Sequence, residues 1–201
     1  ISNATSRIFN ADNKQLYHWG ETAEYIRISD TTTSLTPVKG YAFRNQANDT
    51  IITFPGTINQ DTHMVNVSKN EEYPDYQGWN LLGNPYTAEA SWNNSGWGKS
   101  NVANSLYFQG GPSGQPIAYV NGISNPSQSS NGTIQAMEAF WAYAIEDGPF
   151  SVSDSILADI QEPATSPRNI QELKYLRLQL SDNGSQYQNL IILDNAASYG
   201  F

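Results

Sequence analysis

The residues best able to do chemistry are one acidic segment, residues 71–75 (EEYPD), and two separate histidines, His18 and His63. Glycoside hydrolysis needs two carboxyl groups that face each other across about 5–9 Å, whereas the proline and polar neighbours of this segment predict a solvated loop. The chain has no Gly-x-Ser-x-Gly elbow, no Ser-x-x-Lys motif and no glycine-rich phosphate loop with a lysine. Because no nucleophile with a base stands out, the sequence predicts a non-catalytic protein.

Hard oxygen ligands, which calcium prefers, occur in two turn-forming segments. Asp12 precedes Asn13 in one of them, and Asp182 and Asn183 precede Gly184 in the other. Neither segment has the spaced ligands of a dedicated calcium loop, and ordinary Asx turns use the same residues. Calcium at Asp182, Asn183 or Asp12 is therefore a weak candidate, and no other cofactor is expected.

Tryptophans are the most promising binding residues in the sequence. Trp19, Trp92 and Trp97 lie in polar segments rich in Gly and Asn, and as exposed rings they would be able to stack on a sugar. Trp79 and Trp141 lie within strand patterns and are predicted to be core residues. A carbohydrate-binding, lectin-like module is accordingly the alternative to a structural role for these rings.

Charge and composition exclude several partners. The net charge is −9, from 10 basic and 19 acidic residues, and such a surface repels nucleic acids and anionic membranes. No apolar run approaches the ~20 residues that span a bilayer. The chain has no cysteine and therefore no disulfide or thiolate metal site. A low charged fraction with 12% aromatic residues is typical of an extracellular β protein.

Short apolar runs separated by turn residues predict an all-β fold. We expect an antiparallel, jelly-roll-like β-sandwich forming a single module over residues 1–201, with two closely packed β subdomains divided near residues 85–105 as the alternative. Two segments rich in Gly, Ser and Asn, residues 91–104 and 121–133, are predicted to be exposed loops. The predicted strands are residues 25–28, 40–44, 50–54, 63–67, 78–82, 105–109, 117–120, 139–144, 150–152, 175–180 and 188–193.

The segment 78–86 (GWNLLGNPY), followed by Trp92 and Asn93, resembles a signature of large secreted surface proteins of the Bacteroidota. In those proteins the signature lies upstream of a type IX secretion sorting domain. A further segment, residues 132–141, departs from the family pattern at Gln135, where Pro is usual, and at Glu138, where Gln is usual. Supporting similarities occur at residues 39–43 (KGYAF), 53–57 (TFPGT), 105–108 (SLYF), 132–141 (GTIQAMEAFW) and 175–201.

The resemblance implies export to the cell surface and an accessory role within a larger polypeptide, of which residues 1–201 would be a fragment. Expected partners are the neighbouring domains of that polypeptide and a glycan or a host or surface protein. Two triplets, Asp49-Thr50-Ile51 and Asp154-Ser155-Ile156, also resemble the Asp-Ser/Thr-apolar O-glycosylation signal of this bacterial group. They make Thr50 and Ser155 candidates for modification. The combined expectation is a non-catalytic structural or adhesive module.

Overall fold

The computed structural model describes residues 14–20, 22, 24–30, 32–45, 57–109, 116–125, 130–157, 174–182 and 185–193. Almost all regular structure in this part of the chain is β-strand, with one single-turn 3₁₀ helix at Asp154–Ile156. The strands are β1 (Lys14–Trp19), β2 (Tyr25–Arg27), β3 (Tyr41–Asn45), β4 (His63–Val67), β5 (Trp79–Gly83), β6 (Ala90–Ser91), β7 (Trp97–Gly98), β8 (Ser105–Phe108), β9 (Ile117–Val120), β10 (Ile123–Asn125), β11 (Thr133–Ile134), β12 (Ala139–Tyr143), β13 (Gly148–Val152), β14 (Lys174–Asp182) and β15 (Ser185–Leu193).

Antiparallel sheets build the fold. The largest has the order β10-β9-β8-β12-β5, and a second has the order β4-β13-β7. Smaller sheets pair β6 with β11, and β1 with both β2 and β3. Strands β14 and β15 pair with each other, and Asp182 lies opposite Ser185. The predicted all-β sandwich is therefore confirmed.

The alternation of side chains along the strands explains where the core lies. On β12 Phe140 and Ala142 are completely buried, and on β13 Phe150 and Val152 are as well. Successive side chains of a strand point to opposite faces, so each of these strands turns every second residue towards a shared interior. The residues of this apolar cluster come from before, within and after residues 85–105, the segment at which two subdomains would divide. The chain on either side of that segment therefore contributes to one core.

A smaller apolar cluster holds the first three strands together. Leu16 on β1 is buried, and four partly buried hydrophobic residues pack against it: Ile28, Leu35, Tyr41 and Phe43. The chain leading into β3 joins the edge of β5 through backbone hydrogen bonds. These run from the N–H of Gly40 to the carbonyl of Leu81 (2.9 Å) and from the N–H of Gly83 to the carbonyl of Val38 (2.7 Å).

The segment 91–104 is not the exposed loop that its composition predicts. It contains β6 and β7, and its Trp92, Trp97 and Val102 belong to the main core. Its glycines and asparagines form tight turns that carry the large side chains inward. In the other predicted loop, residues 121–123 are exposed as expected, although residues 123–125 form β10. The predicted strand at residues 50–54 lies outside the described residues.

The close approach at the edge of β5 gives a stability prediction for Gly40. A Cβ added there would lie 2.6 Å from the carbonyl oxygen of Leu82 and 2.7 Å from Cγ of Leu81. We expect Gly40→Ala to lower the free energy of unfolding by about 1–3 kcal/mol, the usual cost of overpacking. The matched control is Gly83→Ala, whose Cβ would meet no atom nearer than 3.6 Å. Urea unfolding of both variants measures the difference, and equal effects would contradict this close contact.

Candidate functional site

Two of the three tryptophans expected to be exposed are buried. Trp92 is 1% exposed and Trp97 is 6% exposed, so the prediction that these two rings are free to stack on a sugar is wrong. Their ring centroids lie 5.2 Å apart, and both rings pack against Phe140 and Phe150. The physical reason is that a hydrophobic ring with a satisfied N–H gains more from burial than from solvent.

Polar contacts fix both buried indoles. Nε1 of Trp92 donates to Oδ1 of Asn104 (3.1 Å), and Nε1 of Trp97 donates to the carbonyl of Ser91 (2.8 Å). Nζ of Lys99 lies 4.4 Å from the Trp92 ring centroid and donates to the Trp92 carbonyl (2.9 Å). Burial lowers the pKa of Lys99. These contacts give the segment a structural role.

The two tryptophans expected in the core lie instead on the outer face of the five-stranded sheet. Trp79 and Trp141 are only half-buried, and they alternate with the buried Leu82 and Phe140 on paired strands. Trp79 and Leu81 share this outer face of β5, where Leu81 is 9% exposed. Trp19, the third ring predicted to be exposed, is half-buried and packs on this same surface.

Six aromatic rings cover this outer face in two groups, which we call the outer aromatic face. In the first group Trp19 contacts Trp141 edge-on, with ring centroids 4.9 Å apart, and Tyr25 lies 5.3 Å from Trp19. In the second group Trp79 lies 5.0 Å from Tyr107 and 5.6 Å from Tyr143. Edge-to-face pairs of this kind hold rings rigidly while leaving part of their surface in contact with water.

A cleft of about 130 Å³ lies at the edge of β5, where the outer aromatic face meets the sheet of β4. Trp19 and Trp79 form part of its wall, and Tyr73 and Tyr76 reach it from the turn region between β4 and β5. Its remaining described lining residues are Gly20, Lys39, Val65, Asn66, Ser68, Asn70, Gly78, Asn80, Leu81 and Leu82. The cleft therefore combines aromatic rings with amide and hydroxyl groups.

Hydrogen bonds make one wall of the cleft rigid. Oδ1 of Asn80 accepts from the N–H of Ser68 (3.1 Å), and its Nδ2 donates to the carbonyls of Ser68 (2.9 Å) and Gly78 (3.0 Å). This bidentate exchange ties the end of β4 to the start of β5. The Asn66 side chain, by contrast, is exposed.

Asn84, the second asparagine of the signature segment, also holds the backbone in place through side-chain hydrogen bonds. Asn84 is 4% exposed, and its Nδ2 donates to the carbonyls of Ala88 (2.8 Å) and Gln135 (3.1 Å). Its Oδ1 accepts from the N–H of Tyr86 (3.0 Å). Within this segment β5 ends at Gly83, and the hydrogen bonds of Asn84 fix the turn that leads into Pro85.

The acidic segment 71–75 lies in turns, and Glu71, Glu72 and Asp75 are exposed, as expected of a solvated loop. Among the calcium candidates, Asp12 and Asn183 lie outside the described residues, and Asp182 ends β14. In the described ranges, no group of three or more His, Asp or Glu side chains is placed to hold a metal ion.

The lowered pKa of His63 predicts a pH-dependent contribution to stability. Burial lowers the pKa of this imidazole from its ordinary 6.5, with Asp61 opposing the shift, and Nε2 is buried without a hydrogen-bond partner. Because the folded protein binds this proton less readily than the unfolded chain, the stability that depends on a neutral His63 is fully present above pH 6.5. This contribution is lost as the pH falls below that value. We expect His63→Gln to reduce the loss of stability between pH 7 and pH 5, as measured by urea unfolding at both values. Equal losses in the two proteins would contradict this role for His63.

Of the two modification candidates, Ser155 is exposed in the 3₁₀ helix, whereas Thr50 lies outside the described residues. The neighbouring Ile156 is completely buried, so it anchors this turn to the core. The hydroxyl of Ser155 is thus carried on a fixed surface turn.

Comparison of the chain with protein-family models, with curated proteins and with solved structures finds no match in any of the three. Among the residues that the structure describes, no helix is long and apolar enough to cross a membrane.

Proposed function

We propose that the chain is a non-catalytic structural and adhesive module of a large, exported bacterial surface protein. The proposal rests on the different positions of two groups of aromatic residues, one in the core and the other on the outer face of the large sheet. Trp92 and Trp97 hold the core together, whereas six rings remain half-buried on one sheet face. A partly exposed aromatic surface on a sheet is suited to contact with another molecule.

The resemblance of the signature segment to Bacteroidota surface proteins supports the extracellular part of the proposal. Asn80 and Asn84 of that segment are fully engaged in holding the backbone. The signature would then mark a structural framework shared by such modules rather than a catalytic site. Partners in this account are neighbouring domains of the same polypeptide and a glycan or a surface protein. The net charge of −9 disfavours nucleic acid and anionic membranes.

Modification of Ser155 and Thr50 with an O-linked glycan belongs to the same proposal. We expect the protein isolated from its native cells to be heavier than the unmodified chain by the mass of a glycan, and Ser155→Ala to remove one such increment. Intact-mass spectrometry of the native and variant proteins measures this. A native mass equal to that of the bare polypeptide would contradict the modification.

Surface display and adhesion are tested directly in cells that produce the parent protein. Antibodies raised against this chain should label intact cells, and cells whose parent protein lacks residues 14–157 should adhere less to surfaces coated with polysaccharide or mucin. Labelling that requires permeabilised cells, or adhesion that is unchanged by the deletion, would overturn the proposal.

A second candidate function, a carbohydrate-binding module, is favoured by the aromatic cleft. Of the three tryptophans from which the sequence predicts such a module, only Trp19 lies in that cleft.

A further inference from the structure

We propose that the cleft at the edge of β5 binds a terminal ring of a neutral oligosaccharide. This inference rests on the proposed adhesive function, because it assigns a ligand class to the adhesive surface. The site differs from the one that the sequence suggested, since Trp79, Tyr76 and Asn66 take the place of the buried Trp92 and Trp97.

The size of the cleft limits its occupant. Its volume of about 130 Å³ is well below the ~300–1,000 Å³ of pockets that enclose drug-sized ligands. It admits a single small ring and leaves the rest of a longer ligand outside. One end of a chain-like molecule satisfies that geometry better than a compact ligand does.

The chemistry of the wall matches the two surfaces of a sugar ring. A pyranose has apolar C–H faces, which pack on aromatic rings, and a rim of hydroxyl groups, which need hydrogen bonds. Trp19 and Trp79 supply rings held in place by their edge-on neighbours. Tyr76, which also lines the cleft, is 55% exposed, so its ring is accessible to a ligand.

Polar groups beside these rings complete the site. The exposed amide of Asn66 offers both a donor and an acceptor, which is the combination that a sugar hydroxyl pair uses. The hydrogen bonds of Asn80 to Ser68 and Gly78 fix the backbone beneath, so little ordering is needed when a ligand binds.

The distribution of charge favours a neutral ligand. Of the described residues that line the cleft, none is acidic, and Lys39 is the one cation. The adjoining turns expose Glu71, Glu72 and Asp75, and the whole chain carries a net charge of −9. An anionic sugar or a phosphate would approach against this field.

The experiment titrates the whole chain with gluco-, manno-, galacto- and xylo-oligosaccharides and follows tryptophan fluorescence and indole N–H resonances. At least one series should bind and shift the Trp79 signal while leaving those of Trp92 and Trp97 unchanged. We expect Tyr76→Ala to weaken binding by up to about tenfold, the loss of one aromatic contact. Asn66→Ala should weaken it about two- to tenfold, the loss of one hydrogen bond.

Matched controls lie at the opposite edge of the same sheet. Ile123→Ala removes a side chain that is 73% exposed, and Asn125→Ala removes an exposed strand asparagine, so neither should change affinity. A proline-rich peptide serves as a counter-probe, because aromatic grooves also bind polyproline helices.

Three results would overturn the inference: no binding by any oligosaccharide at about 10 mM, affinities unchanged by Tyr76→Ala and Asn66→Ala, or binding of the peptide alone. Intact-cell labelling and deletion-dependent adhesion would then still support the structural and adhesive module. If the chain binds sugar but is not displayed on cells, the proposed localisation is overturned and the inference that the cleft binds a sugar stands.

Discussion

Trp92→Ala should lower the free energy of unfolding by about 3–5 kcal/mol, the usual cost of removing a large buried ring. Trp92 packs against Trp97, Phe140 and Phe150, and in a closely packed core the neighbours of a deleted side chain fill the cavity only in part. The substitution also leaves Oδ1 of Asn104 without its indole donor. Urea or guanidinium unfolding, read by circular dichroism, measures the change.

Trp141→Ala is the matched control for this prediction. Trp141 is half-buried on the outer aromatic face, so its removal takes less apolar area from the folded state, and we expect a loss of about 1–2 kcal/mol. An equal or larger loss for Trp141→Ala would mean that the outer aromatic face, rather than the Trp92 cluster, dominates stability.

Asn84→Ala should lower the free energy of unfolding by about 2–4 kcal/mol. The change removes three hydrogen bonds and leaves the N–H of Tyr86 and the carbonyls of Ala88 and Gln135 without this partner. Because Asn84 is 4% exposed, water cannot readily replace the lost amide.

Asn131→Ala is the control for Asn84→Ala, since Asn131 is exposed and accepts one hydrogen bond from the N–H of Thr133. We expect this control to change stability by less than about 1 kcal/mol. Thermal unfolding of both variants in the same buffer compares them. Indistinguishable losses would contradict the structural role assigned to the signature asparagine.

Strand positions were predictable from the sequence because alternation and turn residues are local properties. The predicted strands at residues 63–67 and 117–120 coincide with β4 and β9, and the predicted strands at residues 175–180 and 188–193 lie within the paired strands β14 and β15. The short strands β6, β7 and β11 were not predicted, because two residues give no periodicity and their pairing is set by tertiary contacts.

Which tryptophans are buried was not predictable, since composition does not tell which face of a strand is buried. The polar residues near Trp97 suggested exposure, yet Gly96 lies so close to the 3₁₀ helix that a Cβ there would be 2.6 Å from the backbone nitrogen of Ile156. Small residues beside a large ring allow close packing, and the Gly96-Trp97-Gly98 sequence was the available signal for a buried ring.

The prediction that Trp79 and Trp141 are core residues was wrong for the opposite reason. Trp79 and Trp141 fit the apolar half of a strand pattern, which predicts burial when the other face is polar. On β12, however, the alternate positions are Phe140 and Ala142, so both faces are apolar and the pattern alone cannot rank them.

We propose that the cleft at Trp79 and Tyr76 binds a sugar, and the structure places Trp92 and Trp97 in the core. Hydroxyl-radical footprinting of the whole chain, with and without the oligosaccharide mixture, tests it most directly. We expect Trp79 and Tyr76 to react in the free protein and to become protected by sugar, whereas Trp92 and Trp97 should stay unreactive throughout. Reactive Trp92 and Trp97 that sugar protects, with Trp79 and Tyr76 unaffected, would contradict it.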